Sequence, residues 1–322
     1  MKRNLTVAVF VMLSIVAFTL IGNAQERYPS KPITIVVAQG AGGSTDLIAR
    51  SLHPFLSKEL NVPIVVQNQT GAAGDIANNF VWKAKPDGYT LIMTVIPSFT
   101  VRQLMKKPAY DVLKMSFIYG VAGGDYLGIA VPFNSPIKNF ADLKKAASEK
   151  VLTMGGLHIG SNTWYAELMM RQYTGLKFQL VPYDGGAEAA TAAIGGHVDI
   201  TVLSMISLVK HVQNKQLRLI AGFSDKHDPD FPDFPMMVEL GYKDVFFTTR
   251  QGLAGPPGMP KEIVDTLASG AAKAVKEPLL KSISEKQGFT LDPMPGPEFH
   301  KWTVNEFEKE KALLGQAGAL AK

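Results

Sequence analysis

The chain has 322 residues, with 33 Lys plus Arg, 28 Asp plus Glu and no Cys. A net charge of only +5, spread along the chain, argues against the concentrated basic surface that nucleic-acid binding requires. The lack of Cys excludes disulfides and thiolate metal sites, so hydrophobic cores must stabilise the fold. We therefore expect no nucleic-acid partner, no bound metal and no cofactor.

The first 24 residues have the pattern of a secretory signal peptide. Lys2 and Arg3 precede an apolar stretch over residues 5–21, and Gly22 and Ala24 are small residues at the two positions that signal peptidase reads. An uncleaved membrane anchor is the alternative, although the stretch is short for crossing a bilayer. Cleavage lowers the net charge to +3 and leaves 298 residues, a length that favours two domains. We expect the mature protein in the periplasm.

The stretch Gly40 to Asp46, GAGGSTD, lies between an apolar run and an amphipathic run. The β-branched residues of Ile33 to Val37 predict a buried strand. After the glycines, apolar residues recur at helical spacing up to Leu60, and Ser44 or Thr45 is a candidate N-cap. A glycine-rich turn from strand to helix leaves backbone N–H groups free, which suits it to bind an anion.

This turn does not have the pattern of a nucleotide-binding loop. A Rossmann fingerprint counted from Gly40 needs a sixth-position Gly, where the chain has Thr45, and a Walker motif needs Lys where the chain has Gly43. A carboxylate site and a purely structural turn both remain possible for this stretch.

Alternating strand-like and helix-like runs continue along the chain and form two similar sets. In the second set, Gly155 to Thr163 repeats the glycine-, serine- and threonine-rich loop of the first. In parallel sheets such loops lie at the carboxyl ends of the strands, where open α/β sheets bind ligands. Strands are predicted at 64–66, 90–95, 151–154, 178–181 and 198–203, and helices at 76–84, 187–194 and 299–314.

Several motifs resemble, in order, those of the TctC/Bug substrate-binding proteins of tripartite tricarboxylate transporters. They cover essentially the whole mature chain: Gly42 to Asp46 with Arg50, Asn68 with Gly71 and Gly74, Pro86 to Thr90, Gly160-Ser161, Val181 to Tyr183 with Gly185, Gly195 to Asp199, and Phe231 to Pro256.

The resemblance implies an α/β, two-domain periplasmic-binding-protein type II (Venus-flytrap) fold with the ligand cleft between domains. Domain 1 would contain residues 28–122 plus 247–322 and domain 2 residues 123–246, with crossings near 128–131 and 248–251. The ligand would be a small organic anion, namely a di- or tricarboxylate, an amino acid or an aromatic acid. The protein would be a monomer and would deliver this ligand to the membrane permease subunits of a tripartite tricarboxylate transporter.

The resemblance also implies where the ligand is bound, mainly by backbone amides and water molecules at the two glycine-rich loops. Departures from the family pattern add four side chains: Gln39 in place of an apolar wall, His158 where Gly is usual, Asp184 in place of Lys, and Arg250 near a usual Trp. The expected ligand-binding residues are Gln39, Gly42, Gly43, Ser44, Thr45, Asp46, Ser98, His158, Gly160, Ser161, Asn162, Thr163, Asp184, Ser204 and Arg250.

Catalytic motifs are missing from the sequence. No G-x-S-x-G elbow is present, and the six His residues form no H-x-x-x-H or H-E-x-x-H pattern. We therefore expect a binding protein and not an enzyme. Two alternatives remain: a ligand-sensing subunit for a signalling partner, and a periplasmic α/β enzyme.

Overall fold

The structure, a computed structural model, describes residues 28–226 and 231–321. The predicted signal peptide at residues 1–24 lies outside this part of the chain. The strands are β1 Ile33–Val37, β2 Ile64–Asn68, β3 Thr90–Ile96, β4 Ser116–Asp125, β5 Leu127–Pro132, β6 Leu152–Gly156, β7 Phe178–Pro182, β8 Ile200–Ser204, β9 Leu217–Gly222, β10 Thr249–Gly255 and β11 Leu291–Pro295. None of the described helices is long and apolar enough to cross a membrane.

Ten α-helices connect these strands within the described residues. They are α1 Ser44–Leu60, α2 Asp75–Trp82, α3 Ser98–Lys106, α4 Phe140–Glu149, α5 Asn162–Thr174, α6 Gly186–Ile194, α7 Met205–Gln213, α8 Lys261–Ala274, α9 Pro278–Gln287 and α10 Gly296–Gln316. Short 3-10 helices span Ala72–Gly74 and Val112–Lys114.

The strands form two sheets, and this confirms the predicted two-domain α/β fold. The first sheet has the order β11-β4-β10-β3-β1-β2, and the second has the order β7-β6-β8-β5-β9. β1 is parallel to β2 and β3, whereas β10 is antiparallel to both β3 and β4. In the second sheet β6 is parallel to β7 and β8, and β5 is antiparallel to β8 and β9.

The chain passes from the first sheet to the second at Tyr126, between β4 and β5, and returns between β9 and β10. Residues 128–131, expected at a crossing, lie inside β5. The domain boundaries at 122/123 and 246/247 remain a prediction.

Apolar residues at strand and helix spacing build the core on each side. Along α1, the buried residues Ile48, Leu52, Leu56 and Leu60 recur every four positions and face the first sheet. The C-terminal helix α10 packs on β4 and α3, and its Leu313 and Leu314 share one buried cluster with Tyr165 of α5. The end of the chain therefore packs against both halves of the molecule.

Candidate ligand-binding site

The glycine-rich turn after β1 is held in place by the carboxylate of Asp46. This buried group accepts hydrogen bonds from Gly42 N (2.9 Å), Arg50 Nε (2.9 Å) and Asn68 Nδ2 (2.9 Å). Burial acts to raise the pKa of Asp46, but these hydrogen bonds and the Arg50 charge outweigh it and hold the pKa below its usual value. Asp46 therefore shapes the loop and is ionised at neutral pH.

Helix α1 begins at Ser44, which corrects the expected N-cap at Ser44 or Thr45. Gly43 occupies the N-cap position and makes no side-chain capping bond, while Ser44 is already helical. Gly42 has φ +77°, a left-handed conformation that glycine adopts without strain, and it turns the chain into the helix. The first N–H groups of α1 therefore have neither intrahelical nor side-chain partners.

Two adjoining cavities lie where the two sheets face each other, each with a volume of about 20 Å³. Each holds about one water molecule, so the two domains pack closely around these cavities and must separate to admit an organic acid. The cavity that we call proximal is lined by Gln39, Gly43, Ser44, Thr45, Val95, Leu157, Asn162, Thr163, Gly186, Leu203, Ser204 and Ser207. The distal cavity is lined by Ala38, Gln39, Ala73, Gly74, Asn78, Ile92, Met93, Thr94, Val95, Ser98, Phe99 and His158.

Four helix N-termini converge on the proximal cavity. Its lining includes first-turn or N-cap residues of α1, α5, α6 and α7. At α1, α6 and α7 no side chain caps the helix. No Lys, Arg, Asp or Glu belongs to the lining of either cavity within residues 28–226 and 231–321. Because helix N-termini carry partial positive charge, the cavity attracts an anion without a side-chain cation.

Hydrogen bonds join the two domains around the cavities. Asn162 N at the start of α5 donates to Ser98 Oγ at the start of α3 (2.8 Å). Gly40 N donates to the backbone oxygen of Asp184 (2.8 Å). The hydroxyl of Thr70 lies 3.4 Å from the Asp184 carboxylate. These contacts link the first-domain loops to the second domain at the cleft.

The structure brings nine of the fifteen predicted residues to the cavities. Seven line the proximal cavity, namely Gln39, Gly43, Ser44, Thr45, Asn162, Thr163 and Ser204, while Ser98 and His158 line the distal one. His158 is half-buried, and burial lowers the pKa of its imidazole, so it is neutral at pH 7.

The other six predicted residues line neither cavity: Gly42, Asp46, Gly160, Ser161, Asp184 and Arg250. Ser161 is fully buried, and its hydroxyl caps α5 by accepting from Trp164 N (3.2 Å) and bonds to Thr163 Oγ1 (2.9 Å). Arg250 donates to the Asp292 backbone oxygen (2.8 Å) and carboxylate, and it lies over the Trp302 ring. Its guanidinium is therefore engaged within the first domain.

Sequence reasoning missed five residues of the proximal cavity: Val95, Leu157, Gly186, Leu203 and Ser207. They lie near the ends of β3, β6 and β8 or in the first turns of α6 and α7. The rule that ligands bind at the carboxyl ends of parallel strands could have identified them.

Asp125 at the end of β4 is a further polar group close to the site. Its carboxylate accepts from Ser204 Oγ (2.5 Å) and from Thr249 Oγ1 (3.3 Å). Burial raises the pKa of Asp125 to about 7 although these bonds favour the charged form. Asp125 thus holds Ser204 at the cavity wall and connects β4, β8 and β10.

Two α/β domains closed over an anion-attracting cleft define a solute-binding protein of the periplasmic type. Residues 48–319 match the profile of the Tripartite tricarboxylate transporter family receptor, TctC. The chain belongs to this family, and this confirms the predicted resemblance and the expectation of a binding protein rather than an enzyme.

Individual relatives agree with this assignment. The chain is 31% identical to the UPF0065 protein in the gbd 5'region of Cupriavidus necator over 303 residues, which cover 92% of this chain and 90% of that protein. It is similar to the structure of the periplasmic binding protein BugD, with TM-score 0.86, 25% identity and coverage of 92% and 100%. It shares its fold with MatC from Rhodopseudomonas palustris, solved with bound malate, with TM-score 0.84, 23% identity and coverage of 89% and 100%.

Proposed function

We propose that this protein captures a small organic carboxylate between its two domains in the periplasm and delivers it to the membrane permease of a tripartite tricarboxylate transporter. The observation that carries the proposal is the convergence of four helix N-termini on the proximal cavity, which has no charged side chain in its lining. A carboxylate there accepts from free backbone N–H groups and neighbouring hydroxyls.

The cavity geometry supports a specific set of ligand contacts. Gly43, Ser44 and Thr45 approach from the first domain, and Asn162, Thr163 and Ser204 from the second. The ligand would therefore contact both domains at once, and its binding would favour the closed arrangement. Malate, bound to MatC, is a carboxylate of the proposed class.

A thermal-shift screen of the mature protein against small carboxylic acids tests capture. An acid at 100 times its Kd adds about 2.7 kcal/mol to the free energy of unfolding. Each acid that binds is then compared with its amide, which has the same shape but no charge. We expect the amide to bind at least about tenfold more weakly, a difference of about 1.4 kcal/mol. Equal affinity of acid and amide would contradict binding by helix N-termini.

Delivery requires a separate test, because binding alone does not identify a permease. Uptake of the radiolabelled acid is measured in cells that carry a tripartite permease, with and without this protein. We expect uptake only when both are present. Uptake that is unchanged by deletion of this protein would contradict the transport role while leaving capture intact.

A further inference from the structure

Gln39 is a buried amide at the boundary of the two cavities. It follows β1, is 9% exposed, and lines both cavities. Its backbone oxygen accepts from Asn68 Nδ2 (3.0 Å), which also donates to Asp46. The residue is therefore held by the same network that fixes the glycine-rich turn.

The side-chain oxygen of Gln39 has no hydrogen-bond partner within the described part of the chain. A buried amide oxygen without a donor is unfavourable, because it has lost its water and gained nothing in exchange. The oxygen is shut off from solvent in this closed arrangement, but its residue lines both cavities, so a ligand that enters between the domains can supply the missing donor. In a small organic acid, a hydroxyl, an amide N–H or an ammonium group can donate in this way.

The surroundings of Gln39 discriminate among these donors. An ammonium group needs a negative partner, and neither cavity has an Asp or Glu in its described lining. The N-termini of α1, α5, α6 and α7 would instead repel it. His158 in the distal cavity is neutral and offers no anion either. A hydroxyl adds a donor and no charge with a single heavy atom, which suits cavities of about 20 Å³ better than the larger amide group does.

We propose that Gln39 makes this site selective for hydroxycarboxylates, whose hydroxyl donates to Gln39 Oε1 while the carboxylate lies at the helix N-termini of the proximal cavity. This inference rests on the proposed carboxylate capture and names its substrate class. It distinguishes hydroxy acids from amino acids, which place an ammonium group at the same carbon.

Two matched series of acids test the proposal by isothermal titration calorimetry on the mature protein. Succinate, malate and aspartate differ only in the hydrogen, hydroxyl or ammonium at carbon 2, and butanoate, 2-hydroxybutanoate and 2-aminobutanoate repeat the set with one carboxylate. Both enantiomers are measured. We expect the hydroxy acid of at least one series to bind about tenfold more tightly than the unsubstituted acid, and more tightly still than the amino acid.

The variant Gln39→Leu separates recognition from structure. Leu removes the unpartnered oxygen and keeps an apolar body, so the ligand-free protein should melt at the same temperature or higher. The preference for the hydroxy acid over the unsubstituted acid should fall to within twofold. Gln251→Leu is the matched control, because Gln251 also has a buried, unpartnered Oε1 but lines neither cavity. It should keep the preference of the native protein.

The outcomes separate the two proposals. Tighter binding of the amino acid or the unsubstituted acid, or a preference that survives Gln39→Leu, would overturn the role of Gln39 and leave carboxylate capture standing. If none of the six acids binds, selectivity for hydroxycarboxylates is also overturned. The wider acid and amide screen then decides separately whether carboxylate capture holds.

Discussion

The hydrogen bond from Asn162 N to Ser98 Oγ connects α5 of one domain with α3 of the other across the closed cleft. Ser98 is 7% exposed and Asn162 is 5% exposed, so water does not replace a lost partner easily. Ser98→Ala removes the acceptor and leaves the N–H group buried and unpaired in the closed form. In an open form the same N–H group is solvated, so the substitution acts mainly on closure.

The expected magnitude follows from the cost of an unsatisfied buried donor, about 1 to 3 kcal/mol. If ligand binding requires closure, affinity falls by the same amount, which is about 5-fold to 150-fold. Because the bond joins two protein groups, the loss should be equal for every acid that binds, whatever its length. Calorimetric titration of the native protein and the variant with two different acids measures it.

Ser57→Ala is the control, because the Ser57 hydroxyl donates to the Val62 backbone oxygen (2.7 Å) within the first domain only. It should lower the melting temperature and leave affinity unchanged. Affinities within twofold of native for Ser98→Ala would refute the idea that this bond contributes to closure. A loss seen with one acid and not with the other would identify Ser98 as a ligand contact instead.

Three further predictions concern the N-cap of α5, the buried carboxyl of α10 and the movement of the two domains. Ser161→Ala should lower the free energy of unfolding by about 1 kcal/mol, as the loss of an N-cap does. It should change the affinity for carboxylates less than twofold. A larger loss of affinity would place Ser161 in contact with the ligand. Glu310 on α10 is 2% exposed, and burial raises the pKa of its carboxyl well above the ordinary value although the Thr100 side chain favours the charged form. Because this pKa is raised in the folded state, the protein loses stability as the pH rises through it. Glu310→Gln should therefore raise the melting temperature at pH 8 and have little effect at pH 4. Equal effects at both pH values would contradict a buried, titrating carboxyl. Finally, small-angle scattering should show a smaller radius of gyration after saturation with a bound acid, and an unchanged radius would exclude closure on binding.

The sequence predicted the parallel strands well, because each is a short, largely apolar run that precedes a helical periodicity. β1, β3 and α6 lie within one residue of their predicted bounds. The strand β10 was not predicted, since TRQGLAG has neither alternation nor a β-branched run. It is fully buried, and a Cβ on its Gly252 would approach Phe299 Cε1 to 2.5 Å. The same Cβ would approach the Tyr119 backbone oxygen of β4 to 2.5 Å, so the packing of both α10 and β4 explains this glycine, and both contacts are remote in sequence.

The candidate site was partly predictable for the same reason. The two glycine-rich loops are visible as composition, so Ser44 and Asn162 could be named in advance. Gly186 and Ser207 are ordinary residues of helix starts, and they become cavity residues only because the N-termini of α6 and α7 meet the N-terminus of α5 at the same cavity. Arg250 was predicted to bind a ligand carboxylate, because an unpaired cation on a segment that crosses between the domains can form such a pair. Its actual partner, Asp292, lies 42 residues away and no local pattern reveals it.

The place of β10 has a consequence for how the polypeptide is made. This strand lies between β3 and β4, in the middle of the first sheet, although it is synthesised more than a hundred residues after both. Until it emerges, β3 and β4 each have an unpaired edge that can pair with other chains. The second sheet comes from one continuous segment and can form meanwhile. The nascent chain thus passes through a stage with one half assembled and the other split, in which aggregation competes with folding. A chain truncated just before Thr249 should remain in this state, with the second sheet assembled and the first sheet split.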